Sequence, residues 1–182
     1  MREPAPRSQL VTCLWSSGQA EEAARFYVGA FAGYRPDTHL DEVQYSAVDV
    51  APEGETVHVH AGQVLTVSFT LDGQRFMVLN DPAVAVPYTD AVSVQVLCDN
   101  QEEVDHFWSA LTAGGGRPLA CGWLQDRFGM RWQVVPTVLP ELLGGEDRDA
   151  AARVQRALLG MQRISIEGLM DAAQDAYGAE EQ

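Results

Sequence analysis

Positive charge is scarce in this sequence. Twelve basic residues stand against 26 acidic ones, a formal net charge of −14. Such a surface repels phosphate backbones and anionic lipid, so neither a nucleic acid nor a membrane is expected as partner. Cysteine is also sparse. Cys13, Cys98 and Cys121 are odd in number and form no CxxC pair, which fits a reducing compartment better than a disulfide framework, so a cytoplasmic location is expected. No apolar run approaches the roughly 20 residues that span a bilayer, and the opening MREPAPRSQ has no apolar centre of the signal-peptide kind. Nucleotide and hydrolase motifs are missing as well: no GxGxG follows the first strand, there is no P-loop, and neither HExxH nor GxSxG occurs. The triple glycine Gly114-Gly115-Gly116 ends a helix and does not open one after a strand, so it lacks the setting of a phosphate loop.

What is present is the make-up of a soluble globular chain of 182 residues, with 46% hydrophobic content and a mean hydropathy of −0.13. Residues 1–9 read as a flexible tail. Leu10–Trp15 reads as a strand, and Gln19–Phe31 as a helix with Ala20, Ala23, Ala24, Tyr27 and Phe31 on one face. Glu42–Asp49 and Thr56–His60 are expected as strands across the turn-forming Ala51-Pro52-Glu53-Gly54. Val64–Leu71 and Gln74–Asn80 form a hairpin about Asp72-Gly73, a pair suited to the two-residue turn that matches strand twist. After a linker at 81–90 the order repeats: strand Ala91–Leu97, then a helix capped by Asn100 with Glu103 three residues on and Val104, Phe107, Trp108 and Leu111 as its apolar stripe. Strands Cys121–Gln125 and Met130–Pro136 follow, joined by a turn at Asp126–Gly129. Beyond them, Ala151, Val154, Leu158 and Met161 make one helical stripe and Ile166, Leu169, Met170, Ala173 and Tyr177 another, which need the sheet or a second subunit to cover them.

Polar groups on otherwise apolar strands are the candidate chemistry. Gln95 and Gln133 lie mid-strand, and Asn80 ends an apolar face. Amides orient a ligand by hydrogen bonds, and the alternative is a solvent-facing or subunit-facing role. His58 and His60 alternate on one expected strand, so both imidazoles could reach one metal ion; solvated edge histidines are the competing reading. Cys121 could be a reactive thiol if Arg127 or Arg131 lowered its pKa, or an inert buried one.

The strand–helix–strands order, met twice, together with AEEAARFYVGAF (20–31), VLTVSFTLDGQRFMVLN (64–80), QEEVDHFWSAL (101–111), CGWLQDRFGMRWQVVPTVLPELL (121–143) and RVQRALLGMQRISIEGLMDAA (153–173), resembles the PhnB-like proteins. These carry the label 3-demethylubiquinone-9 3-methyltransferase within the glyoxalase/bleomycin-resistance, or vicinal oxygen chelate, superfamily. The resemblance implies an α+β fold of two βαβββ modules, 10–80 and 91–143, with helices over 147–178. It implies sheets that enclose a ligand cavity, and a homodimer. The metal enzymes of the superfamily take His, Glu or Gln from the first and last strands of each module. The matching positions here are Gln95 (or Ser93), Gln133, Asn80 or Met77, and Thr12 or Leu14. Neutral amides are poor ligands for a divalent cation, so no metal and no other cofactor is expected. The expectation is a small-molecule-binding protein in which Gln95, Gln133 and Asn80 supply polar contacts and Trp123, Trp132 and Cys121 shape the wall. The alternative is an enzyme: a methyl transferase, as the family label says, or a metal-dependent lyase or dioxygenase.

Overall fold

The computed structural model describes residues 10–54 and 56–174, which divide into two compact units meeting at Pro87 and Tyr88. The tail expected at 1–9 and the helix end expected at 175–178, with Tyr177, lie outside the described residues. In the first unit, β1 (Thr12–Ser16), α1 (Ala20–Phe31), β2 (His39–Tyr45), β3 (Val64–Leu71) and β4 (Gln74–Asn80) follow one another. They build a sheet of order β1-β4-β3-β2, with β1 parallel to β4. In the second, β5 (Val94–Cys98), α2 (Gln101–Thr112), β6 (Arg117–Pro118), β7 (Trp123–Gln125) and β8 (Arg131–Pro136) give the order β5-β8-β7-β6, with β5 parallel to β8. Both units are therefore βαβββ modules, and the fold is α+β.

The hairpin strands lie at the residues expected, because Asp72 (φ +50°) and Gly73 (φ +78°) both take the left-handed conformation that lets a two-residue loop follow strand twist. Pairing of Val67 with Val78 and Phe69 with Phe76 puts these four side chains on one face. There they are buried with Leu14 against Ala20, Ala23, Ala24, Tyr27 and Phe31 of α1. The Phe69 ring stacks on Phe76 at 5.3 Å and on Tyr27 at 5.9 Å between centroids.

The stretch before β3 departs from expectation. β2 begins at His39, three residues before the expected start, and Thr56–His60 is not a strand; it makes one bridge, Val50 to Val59. The ends of this stretch are tied together by Ser46 N to Gln63 O and Gly62 N to Ser46 O, each 2.8 Å.

Among the described residues the second unit carries three helices after β8: α3 (Val138–Gly144), α4 (Arg148–Leu159) and α5 (Ile166–Gln174). α3 starts within the span expected for the second module and is not signalled by the sequence pattern: Pro140 sits in its first turn and forfeits only an N–H with no intrahelical acceptor. Asp147 caps α4, accepting from Asp149 N at 3.0 Å and Ala150 N at 2.9 Å. The Ala150 amide, chiefly, holds the Asp147 carboxyl below the usual carboxylate range. Asn100 caps α2 as expected: its Oδ1 accepts from Glu103 N at 3.0 Å, and Glu103 Oε2 accepts from Asp99 N at 3.1 Å. No helix among the described residues is long and apolar enough to cross a membrane.

Candidate functional site: the uncovered face of the second sheet

Side-chain alternation divides the second sheet into two faces. One is covered. Val96, Cys98, Leu124, Trp132 and Val134 are buried there with Val104, Phe107 and Leu111 of α2. Met130 and Trp132 keep this face closed at the β7–β8 turn. The hub of that turn is Asp126, 2% exposed. Its Oδ1 accepts from Phe128 N at 2.8 Å and Met130 N at 3.0 Å, and its Oδ2 accepts from Trp132 Nε1 at 2.8 Å.

The other face is turned away from α2. Gln95 pairs with Gln133, and Gln133 with Trp123, so the three form one row across β5, β8 and β7. Gln133 Nε2 donates to Ser93 Oγ at 2.7 Å, and Gln95 Nε2 reaches Gln133 Oε1 at a longer 3.4 Å. Gln95 is exposed, and Gln133, Ser93 and Trp123 are half-buried, so the row offers amide donors and acceptors beside an indole plane. The next row toward the turn is Arg117–Gln125–Arg131, paired in that order. Arg117 Nε donates to Gln125 Oε1 at 2.6 Å; Arg131 pairs with Asp90 and also donates from Nη1 to Gly129 O at 3.0 Å. In the row at the opposite end Leu97 stays exposed, whereas Val135 is roofed and shares a buried core with Leu139, Val154, Ile164 and Leu169 of the helical extension.

The extension also fixes the start of β7. Cys121 (φ +58°) and Gly122 (φ +79°) are consecutive left-handed residues, so they leave the expected strand. Their N–H groups donate to Met161 O and Gln162 O, both at 2.8 Å. A Cβ on Gly122 would lie 2.7 Å from Val134 O and 2.8 Å from Ile164 Cδ1, so glycine is required for this approach. The same segment is strapped to α2, because Gln101 accepts from Ile166 N at 2.8 Å and donates to Ile164 O at 3.2 Å. Trp123, the next residue of β7, is thereby held in the row.

The expected site residues thus fall in different places. Gln95, Gln133 and Trp123 come together. Trp132 lies on the opposite face, 1% exposed, and lines no wall there. Asn80 belongs to the first unit, and its amide is engaged by backbone: Oδ1 accepts from Ala20 N at 3.4 Å and Nδ2 donates to Val64 O at 2.9 Å. It braces α1 against β3. Cys121 is a half-buried free thiol. Arg131 lies opposite Gln125, at the far end of β7 from Cys121, and Arg127 sits over the Phe128 ring at 4.8 Å. The histidines do not share a site. His58 is drawn inward, its side chain 8% exposed and Nδ1 at 3.0 Å from Asp81 Oδ2, whereas His60 is exposed beside Asp49. Burial of His58 corrects the edge-histidine reading for that residue. Sequence reasoning also missed the Arg117–Gln125–Arg131 row; the hairpin register across the Asp126 turn was the signal that could have found it.

A divalent cation does not fit this face. Its donors are the neutral amides of Gln95 and Gln133 and the Ser93 hydroxyl, without the carboxylate or imidazole such ions require. Among the described residues no group of three His, Cys, Asp or Glu side chains is placed to hold a metal. A separate cleft of about 620 Å³ lies between the first turn of α2 and residues 163–167, with Arg163 paired to Asp105 at 2.9 Å. It contains none of the expected site residues.

No curated protein matches the chain. Among solved structures, the PhnB protein from Bacillus cereus is 27% identical and superposes with a TM-score of 0.57, covering 71% of this chain and 100% of its own. Protein PA1353 from Pseudomonas aeruginosa, 18% identical, covers 71% of this chain and 97% of its own with a TM-score of 0.54. A glyoxalase/bleomycin resistance protein from Albidiferax ferrireducens is 14% identical with a TM-score of 0.41, over 71% of this chain and 98% of its own. The family model of 3-demethylubiquinone-9 3-methyltransferase matches residues 8–135, both modules through β8. With that match across most of its length and a paired βαβββ fold, the chain belongs to the 3-demethylubiquinone-9 3-methyltransferase family of PhnB-like proteins.

Proposed function

We propose that this protein binds a small organic molecule on the uncovered face of its second sheet, without a metal. The observation that carries the reading is the Gln95–Gln133–Trp123 row: two amides able to donate and accept, set beside an indole plane. A ligand with a flat, apolar body and one or two hydrogen-bonding groups matches that surface. The rows at either end limit its size. The roofed Val135 and the arginine row bracket a strip two strand spacings wide (about 10 Å) and one side-chain repeat long (about 7 Å), enough for one or two fused rings.

Three unpaired cysteines suit the reducing cytoplasm, and outward-facing Leu159 and Met170 on the extension suit a homodimer. Light scattering after size-exclusion chromatography tests the dimer, and a single-chain mass would remove it. The ligand surface is tested with 2-naphthamide as probe, by calorimetry on the wild type and on Gln133→Ala. The variant is expected to stay folded by circular dichroism and to bind about tenfold more weakly, the worth of a good hydrogen bond to a ligand. Equal affinity in the two proteins takes Gln133 out of the site.

A further inference from the structure

We infer that the molecule bound on this face carries an anionic group, held by Arg117 at the turn-proximal end of the strip; the inference rests on the ligand surface proposed above and fixes its polarity. The chain holds 12 basic residues, every one of them arginine, against 26 acidic ones. Two of the 12 stand in one row of this face. Arg131 is neutralised by Asp90. Arg117 is not: its Nε is taken by the Gln125 carbonyl oxygen, and its terminal amino groups meet no carboxylate among the described residues. That hydrogen bond fixes the guanidinium on the ligand side of β6 while leaving its outer edge able to take a carboxylate or phosphate oxygen pair.

The register places this group with respect to the aromatic floor. Arg117 pairs with Gln125, which follows Trp123 on the same face by one side-chain repeat, so Arg117 and Trp123 lie one strand and one repeat apart. The two Cα atoms are then about 8 Å apart, the span between the centre of a fused ring system and an acid substituent on it. At the other end the face closes under Val135 and the extension core, which is apolar. The strip thus runs from apolar wall through amide and indole to guanidinium, the order of an aromatic acid lying flat with its charge outward. The overall charge of −14 does not defeat this, because at physiological ionic strength fields fade beyond about 8 Å and the nearest group to the ligand's charge decides.

The test compares 2-naphthoate with 2-naphthamide, probes of the same ring system with and without charge, by calorimetry on wild type and Arg117→Gln at low and physiological salt. The expected result is about tenfold tighter binding of the naphthoate, as for a charge-assisted pair, a preference over naphthamide that salt weakens and that Arg117→Gln abolishes. If naphthamide binds in a Gln133-dependent way but naphthoate binds no better, or keeps its preference in Arg117→Gln, the anionic inference falls and the ligand surface stands. If neither probe binds, both fall.

Discussion

Replacing Gly122 by alanine tests how the helical extension shapes the ligand face. Two costs can be worked out separately. At φ +79° an L-residue with a Cβ loses about 1–2 kcal/mol to backbone sterics. The new Cβ would also lie 2.7 Å from Val134 O and 2.8 Å from Ile164 Cδ1. The first neighbour is backbone within the central strand β8 and cannot retreat, so overpacking adds about 1–3 kcal/mol. The total of about 2–5 kcal/mol corresponds to a fall in Tm of about 5–20 °C for a chain of this size. Gly62→Ala isolates the first cost, because Gly62 has φ +84° and an added Cβ there would meet nothing within 4 Å. It should lose only about 2–8 °C. Thermal unfolding followed by circular dichroism reads both. Adding Ile164→Val to Gly122→Ala removes the Cδ1 conflict, so the pair of changes should cost about 1 kcal/mol less than their sum. A Gly122→Ala protein that melts no lower than Gly62→Ala would refute the claim that the extension is pressed onto this glycine. So would strict additivity with Ile164→Val.

Two further substitutions separate brace from site. Asn80→Ala leaves Val64 O and Ala20 N without their buried amide partner, and should cost about 2–3 kcal/mol by urea unfolding; probe affinity should be unchanged, and weaker binding in a folded variant would return Asn80 to the site. Asp147→Ala removes the α4 cap. Because the folded carboxyl lies below its usual value, its contribution is complete above the ordinary carboxylate range and is lost as pH falls through the folded value. The urea midpoint of the variant should therefore lie below that of the wild type at neutral pH, and the gap should close in strong acid; a gap constant with pH would show that the carboxylate charge plays no part.

Much of this architecture is legible in the sequence because local signals agree with the tertiary result. The Asp72-Gly73 turn sets the register of β3 and β4, and with it which side chains meet α1. The Asn100 cap and the Val104, Phe107, Leu111 stripe place α2 and its buried face. Alternation along β8 already sends Trp132 and Gln133 to opposite faces, so one cavity cannot take a polar contact from Gln133 and a wall from Trp132; only Gln133 shares a face with Trp123. Other features depend on partners far away in the chain. Asn80 is engaged by residues 60 and 16 positions distant, so its bracing role leaves no local mark. His58 is pulled from an expected strand edge by Asp81, 23 positions on. The left-handed pair Cys121-Gly122 reads as strand until the carbonyls of Met161 and Gln162 are seen to meet its amides. Arg117 follows a triple glycine in a two-residue strand, too short to show a pattern of its own. α3 hides behind Pro140, which reads as a break although it lies in the first helical turn.

The most direct test of the central claim is a two-dimensional ¹H–¹⁵N spectrum of the protein titrated with 2-naphthamide. The account predicts that the side-chain amide signals of Gln95 and Gln133 and the indole N–H of Trp123 move together and saturate, while the Trp132 indole, bonded to Asp126 on the covered face, stays in place. Movement confined to other residues, with those three signals unmoved, would contradict it.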